Sequence, residues 1–427
     1  MGILASLLED VRLPRMIQVR QHFRNNALAD VAKTLTEELA KPVIARRIRP
    51  GMRIAVGVGS RGMADLPLLV AVVVDELKKQ GALPFIVPAM GSHGGATADG
   101  QTALLAALGV TETAAGCPIV SSMRTVELGA LDNGLPVLMD EQAMQSDGIV
   151  VINRVKPHTS FSGPIESGLT KMITIGLGKQ KGADACHALG FGHMARNIVD
   201  MVEIKLAKAP ILFGVATVEN AYDKILKIVA VPAEDIVETE KLLLAEAKEN
   251  MPAILFNPLD VLVVDQMGKE FSGTGMDPNI TGRAGTPFLA TTQQVARMAV
   301  LDLTKKSGGN ATGIGLADVC TRRLFDKIDF DPTYANHLTS TALSGAKIPV
   351  IMDADRLAIQ AAVKTCNAPD PTRLRLVRVR NTLHLDRVLI SDFLVDEAER
   401  HPDVSVIGQA EEWAFDADGN LNDLADW

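Results

Sequence analysis

The sequence predicts an α/β protein made of two α/β domains with mainly parallel sheets and an active-site cleft between the domains. Three observations predict it. Strand-like and helix-like segments alternate through the first half of the chain. Several strand candidates are unbroken apolar runs rich in Val and Ile, as expected of strands buried on both faces. The chain has 427 residues, 47% of them hydrophobic, which is more than one core usually organises.

The elements follow in order. Residues 53–59 (RIAVGVG) read as a strand. Asp65 then reads as the N-cap of a helix over 66–79, ended by Gly81. Residues 84–90 (PFIVPAM), 148–155 (GIVVINRV) and 211–217 read as further strands. A polar, charged helix over 236–249 is broken by Met251–Pro252, and Asn257–Pro258 marks a boundary. Residues 1–257 are thus expected to form an N-terminal domain that carries the chemistry, and 258–427 a C-terminal domain. In the latter, residues 260–265 (DVLVVD) read as a strand and the segment near 292–305 as a helix. A Gly-rich turn over 308–315 and a strand over 348–352 follow. The acidic tail, 414–427, is expected to cross back onto the N-terminal domain.

Composition excludes several functions. The net charge of −8 repels polyanions, and aromatic residues make up only 4%, so neither nucleic acid nor an acidic membrane surface is an expected partner. A small anionic substrate needs only one local cation. The longest apolar run, 66–74, is under half the ~20 residues of a membrane span. Cys117, Cys186, Cys320 and Cys366 form no CxxC pair and read as reduced thiols. With no signal-peptide pattern at the start of the sequence, the expected location is the cytoplasm.

In open α/β sheets, ligands bind beyond the carboxyl ends of the strands. Three polar side chains leave three strand ends here: Arg61 after 53–59, His93 (in GSHGGAT) after 84–90, and His158 (in KPH) after 148–155. An arginine matches both oxygens of a carboxylate. An imidazole gains or loses a proton near neutrality. Together they suit a small carboxylic acid and proton movement beside it. Lys171 follows a Ser-Gly pair and precedes an apolar, strand-like run, and His187 lies 16 residues further on, in a helix expected after Gly182. His187 and His193 are six apart and share no helical face, and no HExxH occurs, so a two-histidine zinc helix is not indicated.

In these residues the chain resembles the lactate racemase family. Gly91–His93 resembles the family's first catalytic histidine element, and Pro157–His158 its second. Ser167-Gly168-Leu169-Thr170-Lys171 is similar to its Ser-Gly-x-x-Lys, His187 stands at the interval of its nickel ligand, and Ser60-Arg61 resembles the end of its Asp-x-Thr-Arg. The resemblance implies a nickel-pincer nucleotide, a pyridinium-3,5-bisthiocarboxylic acid mononucleotide with nickel, joined to Lys171 and ligated by His187. It further implies an isomerase that racemises or epimerises a 2-hydroxy acid by reversible hydride transfer. His93 and His158 would be the acid/base pair, and Arg61 would hold the carboxylate.

The chain also departs from the pattern. Val58 replaces the family's Asp, a short insertion lengthens the segment between His158 and Lys171, and the family's second-domain Gln and Lys are not found. Lys269, Asp277, Asn279 and Arg283, in and beside SGTGMDPNITGR, are candidates for binding a larger and more polar substrate, such as a sugar acid or a dicarboxylic hydroxy acid. Their structural alternative is a Gly-rich turn with an Asp/Asn cap. Two other readings stay open: a zinc- or iron-dependent hydrolase or aldolase with His93, His158 and His187 as ligands, and a cofactor-free hydroxy-acid-binding protein.

Overall fold

A computed structural model describes residues 2–60 and 62–427. Arg61, expected to hold a carboxylate, lies outside the described residues. The chain forms two compact units, one of Asn25–Met251 and one of Met1–Arg24 with Pro252–Trp427. Both are α/β.

The Asn25–Met251 unit is built on a five-stranded sheet in the order Leu83–Pro88, Arg53–Val58, Gly148–Arg154, Ile211–Glu219, Ile225–Pro232. The first four strands are parallel and the last is antiparallel. Successive side chains of a strand point to opposite faces. Ile54, Val56, Val58, Val150 and Ile152 accordingly enter one core, and Ala55, Ile149 and Val151 the other. Burial on both faces explains why these strands read as continuous apolar runs. The helix Leu66–Lys79 covers one face with Leu66, Leu69, Val70, Val73, Val74 and Leu77. Each such buried side chain contributes roughly 1.5–3 kcal/mol. Asp65 stands at the cap position, but its backbone is left-handed and its side chain makes no cap hydrogen bond.

Register positions the chemistry. Val58 pairs with Pro88 on one side and Ile152 on the other, so three parallel strands end side by side. The loops after them leave from one edge of the sheet.

The second unit holds an eight-stranded sheet in the order Val350–Met352, Val319–Thr321, Val295–Leu303, Leu259–Met267, Leu376–Val379, Arg387–Ser391, Met16–Gln21, Val404–Val406. Its first five strands are parallel and the remainder antiparallel. Three expectations are corrected here. The segment read as a helix near 292–305 is the strand Val295–Leu303, hydrogen-bonded on both sides. Burial on both faces removed the alternation that would have marked it as a strand. The boundary between units falls at Met251/Pro252 instead of after Asn257, and residues 1–24 belong with the C-terminal portion. Met16–Gln21 pairs with Arg387–Ser391 and Val404–Val406. The buried Gln21 amide donates to the carbonyls of Ala253 (2.9 Å) and Leu385 (2.7 Å) and accepts from Leu255 N–H (2.8 Å). The acidic tail stays in this unit too. Leu421 N–H donates to Asp355 (2.9 Å), Arg378 donates to Asp423 (3.0 Å), and the Trp427 indole donates to Asp265 (2.8 Å).

Among the described residues no helix is long and apolar enough to cross a membrane.

Candidate active site

The site is organised by the segment after Ser167-Gly168. Expected as a strand, it is a helical turn, Leu169–Lys171, that continues as a π-helix over Met172–Gly176. A short apolar run such as MITIG carries no decisive period, and here tertiary contacts decide it. All three strand ends touch this turn. A Cβ on Gly59 would lie 2.6 Å from Met172 Cε, and one on Gly176 would lie 2.7 Å from Ala89 O. The backbone contact excludes a side chain at Gly176, whereas at Gly59 the end of the Met172 side chain would have to shift. Gly91 N–H donates to Gly176 O (3.1 Å), Asn153 Nδ2 donates to Gly168 O (2.8 Å), and Lys156 N–H donates to Ser167 O (2.8 Å).

Two buried ionisable side chains complete the turn. At its start, Glu240 accepts from Thr170 N–H (2.8 Å) and Thr170 Oγ1 (3.0 Å). At its end, Lys205 Nζ donates to the carbonyls of Ile173 (2.9 Å) and Thr174 (2.8 Å). An acid at the N-terminus and a base at the C-terminus complement the helix dipole and its unpaired backbone groups. Burial nevertheless dominates both groups. It pushes the Glu240 carboxyl up to about 7, against the hydrogen bonds from Thr170, and the Lys205 amine down to about 7.

His93 follows the Leu83–Pro88 strand. Its Nδ1 is hydrogen-bonded to Ser60 Oγ, from the neighbouring strand end. Behind it, the fully buried Gln101 donates to the carbonyls of Gly91 (3.0 Å) and His93 (3.2 Å). Gln101 Oε1 accepts from Lys179 Nζ (3.1 Å), which also donates to Pro88 O (2.6 Å) and pairs with Asp140 (3.2 Å). Burial lowers the Lys179 pKa and raises that of Asp140.

His158 follows the Gly148–Arg154 strand. Its backbone N–H donates to Glu166 Oε2 (2.8 Å), while Glu166 Oε1 accepts from Gly163 N–H (3.1 Å) and Lys248 Nζ (2.6 Å). The ring packs against the buried Phe161 at 4.4 Å between centroids and lies 6.1 Å from Phe191. Glu166 and Phe161 both belong to the segment that departs in length from the lactate racemase pattern.

His187 ends the helix Lys179–His187. Its Nδ1 donates to Ala183 O (2.7 Å), and the ring meets Phe191 edge-on at 5.9 Å. Burial holds its pKa below the usual imidazole value, opposed by the Ala183 bond, and the positive charge of Lys171 lowers it further. His187 is therefore a neutral imidazole with its lone pair on Nε2, the form that binds a transition metal. Lys171 itself is half-buried. The structure thus gathers His93, His158, Lys171 and His187 in the Asn25–Met251 unit around one sheet edge. Among the described residues no three His, Cys, Asp or Glu side chains gather as a metal-holding group. A cofactor that brings its own sulfur donors and takes one imidazole fits this donor set.

The remaining candidates lie in the other unit. Asp277 caps the helix Pro278–Thr281, accepting from Asn279 N–H (3.0 Å) and Asn279 Nδ2 (2.9 Å). Arg283 pairs with Asp318 and donates to Ala296 O (2.9 Å). Lys269 Nζ donates to Gly273 O (2.8 Å) and Asn336 Oδ1 (2.9 Å). The Asp/Asn-capped turn is therefore present at SGTGMDPNITGR.

Sequence reasoning missed Gln101, Glu166, Lys179, Lys205 and Glu240. For two of them a signal exists. Met194, Ile198, Met201 and Lys205 share one helical stripe, as do Ile236, Glu240, Leu243 and Ala247. A charge on an otherwise apolar stripe marks a buried ion with a specific partner.

Residues 6–198 match the family model described as the lactate racemase N-terminal domain. Among solved structures, the chain is similar to a protein from Thermotoga maritima, with a TM-score of 0.54, 12% identity, and coverage of 85% of this chain and 99% of that one. It is similar also to the lactate racemase apoprotein from Thermoanaerobacterium thermosaccharolyticum, with a TM-score of 0.53, 13% identity, and coverage of 87% and 99%. At such identities the structural likeness establishes the fold. No curated protein matches the chain.

Proposed function

Residues 6–198 belong to the lactate racemase N-terminal domain family, and from that premise we propose that the protein is an isomerase inverting C2 of a 2-hydroxy acid, with a nickel-pincer nucleotide held by Lys171 and His187. The observation that carries the reading is the grouping of two histidine-bearing loops, a half-buried lysine and a neutral, half-buried imidazole on one sheet edge. When bound, the nucleotide supplies an acceptor for the hydrogen at C2, which is too weakly acidic to leave as a proton to an imidazole. The protein's residues do the rest. Lys171 anchors the nucleotide through its amine at the head of a turn fixed at both ends by Glu240 and Lys205. His187 offers Nε2 to nickel while its Nδ1 stays on Ala183 O. The His93 and His158 rings manage the substrate's hydroxyl proton, and Arg61 holds the carboxylate. All four cysteines are unbonded, in keeping with a reducing compartment, the cytoplasm.

Intact-mass analysis of the protein co-produced with cofactor-making enzymes tests this directly. The expected result is a nucleotide-sized mass on Lys171 with stoichiometric nickel, both lost in Lys171→Arg. Unmodified, nickel-free protein from such cells would refute the proposal. A screen of 2-hydroxy acids deuterated at C2 then defines the substrate, because hydride shuttling keeps the substrate's own deuterium.

A further inference from the structure

The loop that carries His93 has little stiffness of its own. Gly91, Gly94 and Gly95, on either side of the histidine, hold positive φ (58°, 65° and 63°), and glycine is the residue whose backbone most readily leaves such a conformation. The loop is therefore set from outside. Both amide hydrogens of Gln101, on the helix Ala98–Ala107, go to loop carbonyls, those of Gly91 (3.0 Å) and His93 (3.2 Å). The Gln101 oxygen in turn accepts from Lys179 Nζ (3.1 Å). The same ammonium donates to Pro88 O (2.6 Å), at the end of the strand before the loop, and lies 3.2 Å from Asp140 Oδ2. Gln101, Lys179 and Asp140 are all fully buried. Lys179 opens the helix that ends in His187. Its own φ is +56°, a left-handed backbone that residues with a side chain seldom adopt.

We infer that Lys179, with Asp140 as its counter-ion, is a positioning residue for His93: through Gln101 it ties the loop of that histidine to the helix bearing His187. A glycine at position 179 would relieve the left-handed backbone. Only a long cationic side chain, however, reaches the strand end, the amide and the carboxylate together. Stability alone does not call for the pair, because withdrawing two charges from water offsets most of their attraction. An ammonium with three acceptors around it does fix directions. It turns the Gln101 oxygen toward itself, so that the two amide N–H groups face the loop. It also holds the carbonyl of Pro88, from which the loop departs. The reaction served rests on the 2-hydroxy acid reading, in which His93 handles the hydroxyl proton; the tether itself does not.

The test uses the full-length double variant Lys179→Met/Asp140→Asn. It leaves no unpaired buried charge and keeps an oxygen to cap Ala143 N–H, as Asp140 does at 2.8 Å. Its urea midpoint should therefore match wild type. In cofactor-free protein, the amides of Gly91 and His93, bonded to Gly176 O and Met90 O (3.1 Å each), should nevertheless exchange hydrogen about tenfold faster, while those of the sheet strands keep their rates. In protein loaded with the nucleotide, nickel and KM should be kept and kcat should fall roughly a hundredfold, the effect of displacing a reacting group by about an ångström. A stable double variant with wild-type exchange and kcat would show that the pair is structural only and would overturn the inference. A loss confined to KM, or a loss of nickel, would do the same. Should the double variant not fold, Gln101→Met decides: it leaves the ion pair whole but cuts the link to the loop, and should give the same faster exchange and the same fall in kcat. The two readings fail separately. Faster exchange in a protein that turns over no 2-hydroxy acid refutes the substrate class, and unchanged exchange in an active racemase refutes only the tether.

Discussion

Lys205→Met and Glu240→Gln are expected to remove opposite limbs of the pH–stability curve of the Asn25–Met251 unit. Burial depresses the Lys205 amine from 10.5 to about 7. At about 1.4 kcal/mol per pH unit, this corresponds to about 5 kcal/mol. The unfolded chain keeps that proton up to its ordinary value, whereas the folded protein releases it above about 7. Between those values the unfolded state binds more protons, so stability rises with pH; below about 7 the full penalty applies. Glu240 behaves oppositely. Burial raises it from 4.5 to about 7, worth about 3 kcal/mol. The folded protein retains this proton through that window while the unfolded chain loses it, so stability falls as pH rises from 4.5 to about 7. These two groups together place a stability minimum near neutrality. In Lys205→Met the upper limb flattens. The variant also leaves the Ile173 and Thr174 carbonyls without their donor, at about 1–3 kcal/mol each, so the net change at neutral pH is small and the slope is the diagnostic. Both tryptophans, Trp413 and Trp427, belong to the other unit. Their fluorescence follows that unit, and far-UV circular dichroism follows both. Urea unfolding of the wild type and each variant between about pH 5 and about pH 10 gives the slopes. A Lys205→Met curve parallel to wild type above neutrality would refute the assignment of a neutral, buried amine.

Three further outcomes are expected. His187→Ala should lose nickel from protein co-produced with the cofactor-making enzymes, whereas His93→Ala and His158→Ala should keep nickel and lose turnover; full metal in His187→Ala, read by elemental analysis, would remove it as a ligand. Ser60→Ala takes away the hydroxyl that serves either tautomer of His93, and should lower kcat by about tenfold with KM little changed, the worth of one hydrogen bond; a change confined to KM in steady-state kinetics would point to substrate binding instead. Phe161→Ala should cost about 3–5 kcal/mol in urea unfolding, as a fully buried aromatic ring leaving a cavity; a cost below about 1 kcal/mol would show that the loop collapses to fill the space.

Much of the fold could be read from local pattern. The four parallel strands of the Asn25–Met251 sheet, the helix Leu66–Lys79 and the loops carrying His93 and His158 all coincide with apolar runs and the polar residues that end them. Two apolar segments could not be read this way. Val295–Leu303 is a strand because neighbours pair with both its edges, and Met172–Gly176 is a π-helix whose Ile173 and Thr174 carbonyls meet Lys205. Neither partner is near in sequence, so no window around those residues contains the cause. The same holds for Met16–Gln21, whose strand partners lie more than 350 residues away.

What the sequence determined by itself is which chemical groups leave which strand ends, because the side-chain order and the apolar runs that set strand ends are local properties. Tertiary structure alone decided the state of those groups. Whether an imidazole carries its hydrogen on Nδ1 or Nε2, and whether a lysine or glutamate is charged, depends on the one carbonyl, hydroxyl or N–H placed against it and on the water removed from around it. The Ala183 carbonyl fixes the hydrogen of His187 on Nδ1, and burial moves Lys205 and Glu240 toward neutrality.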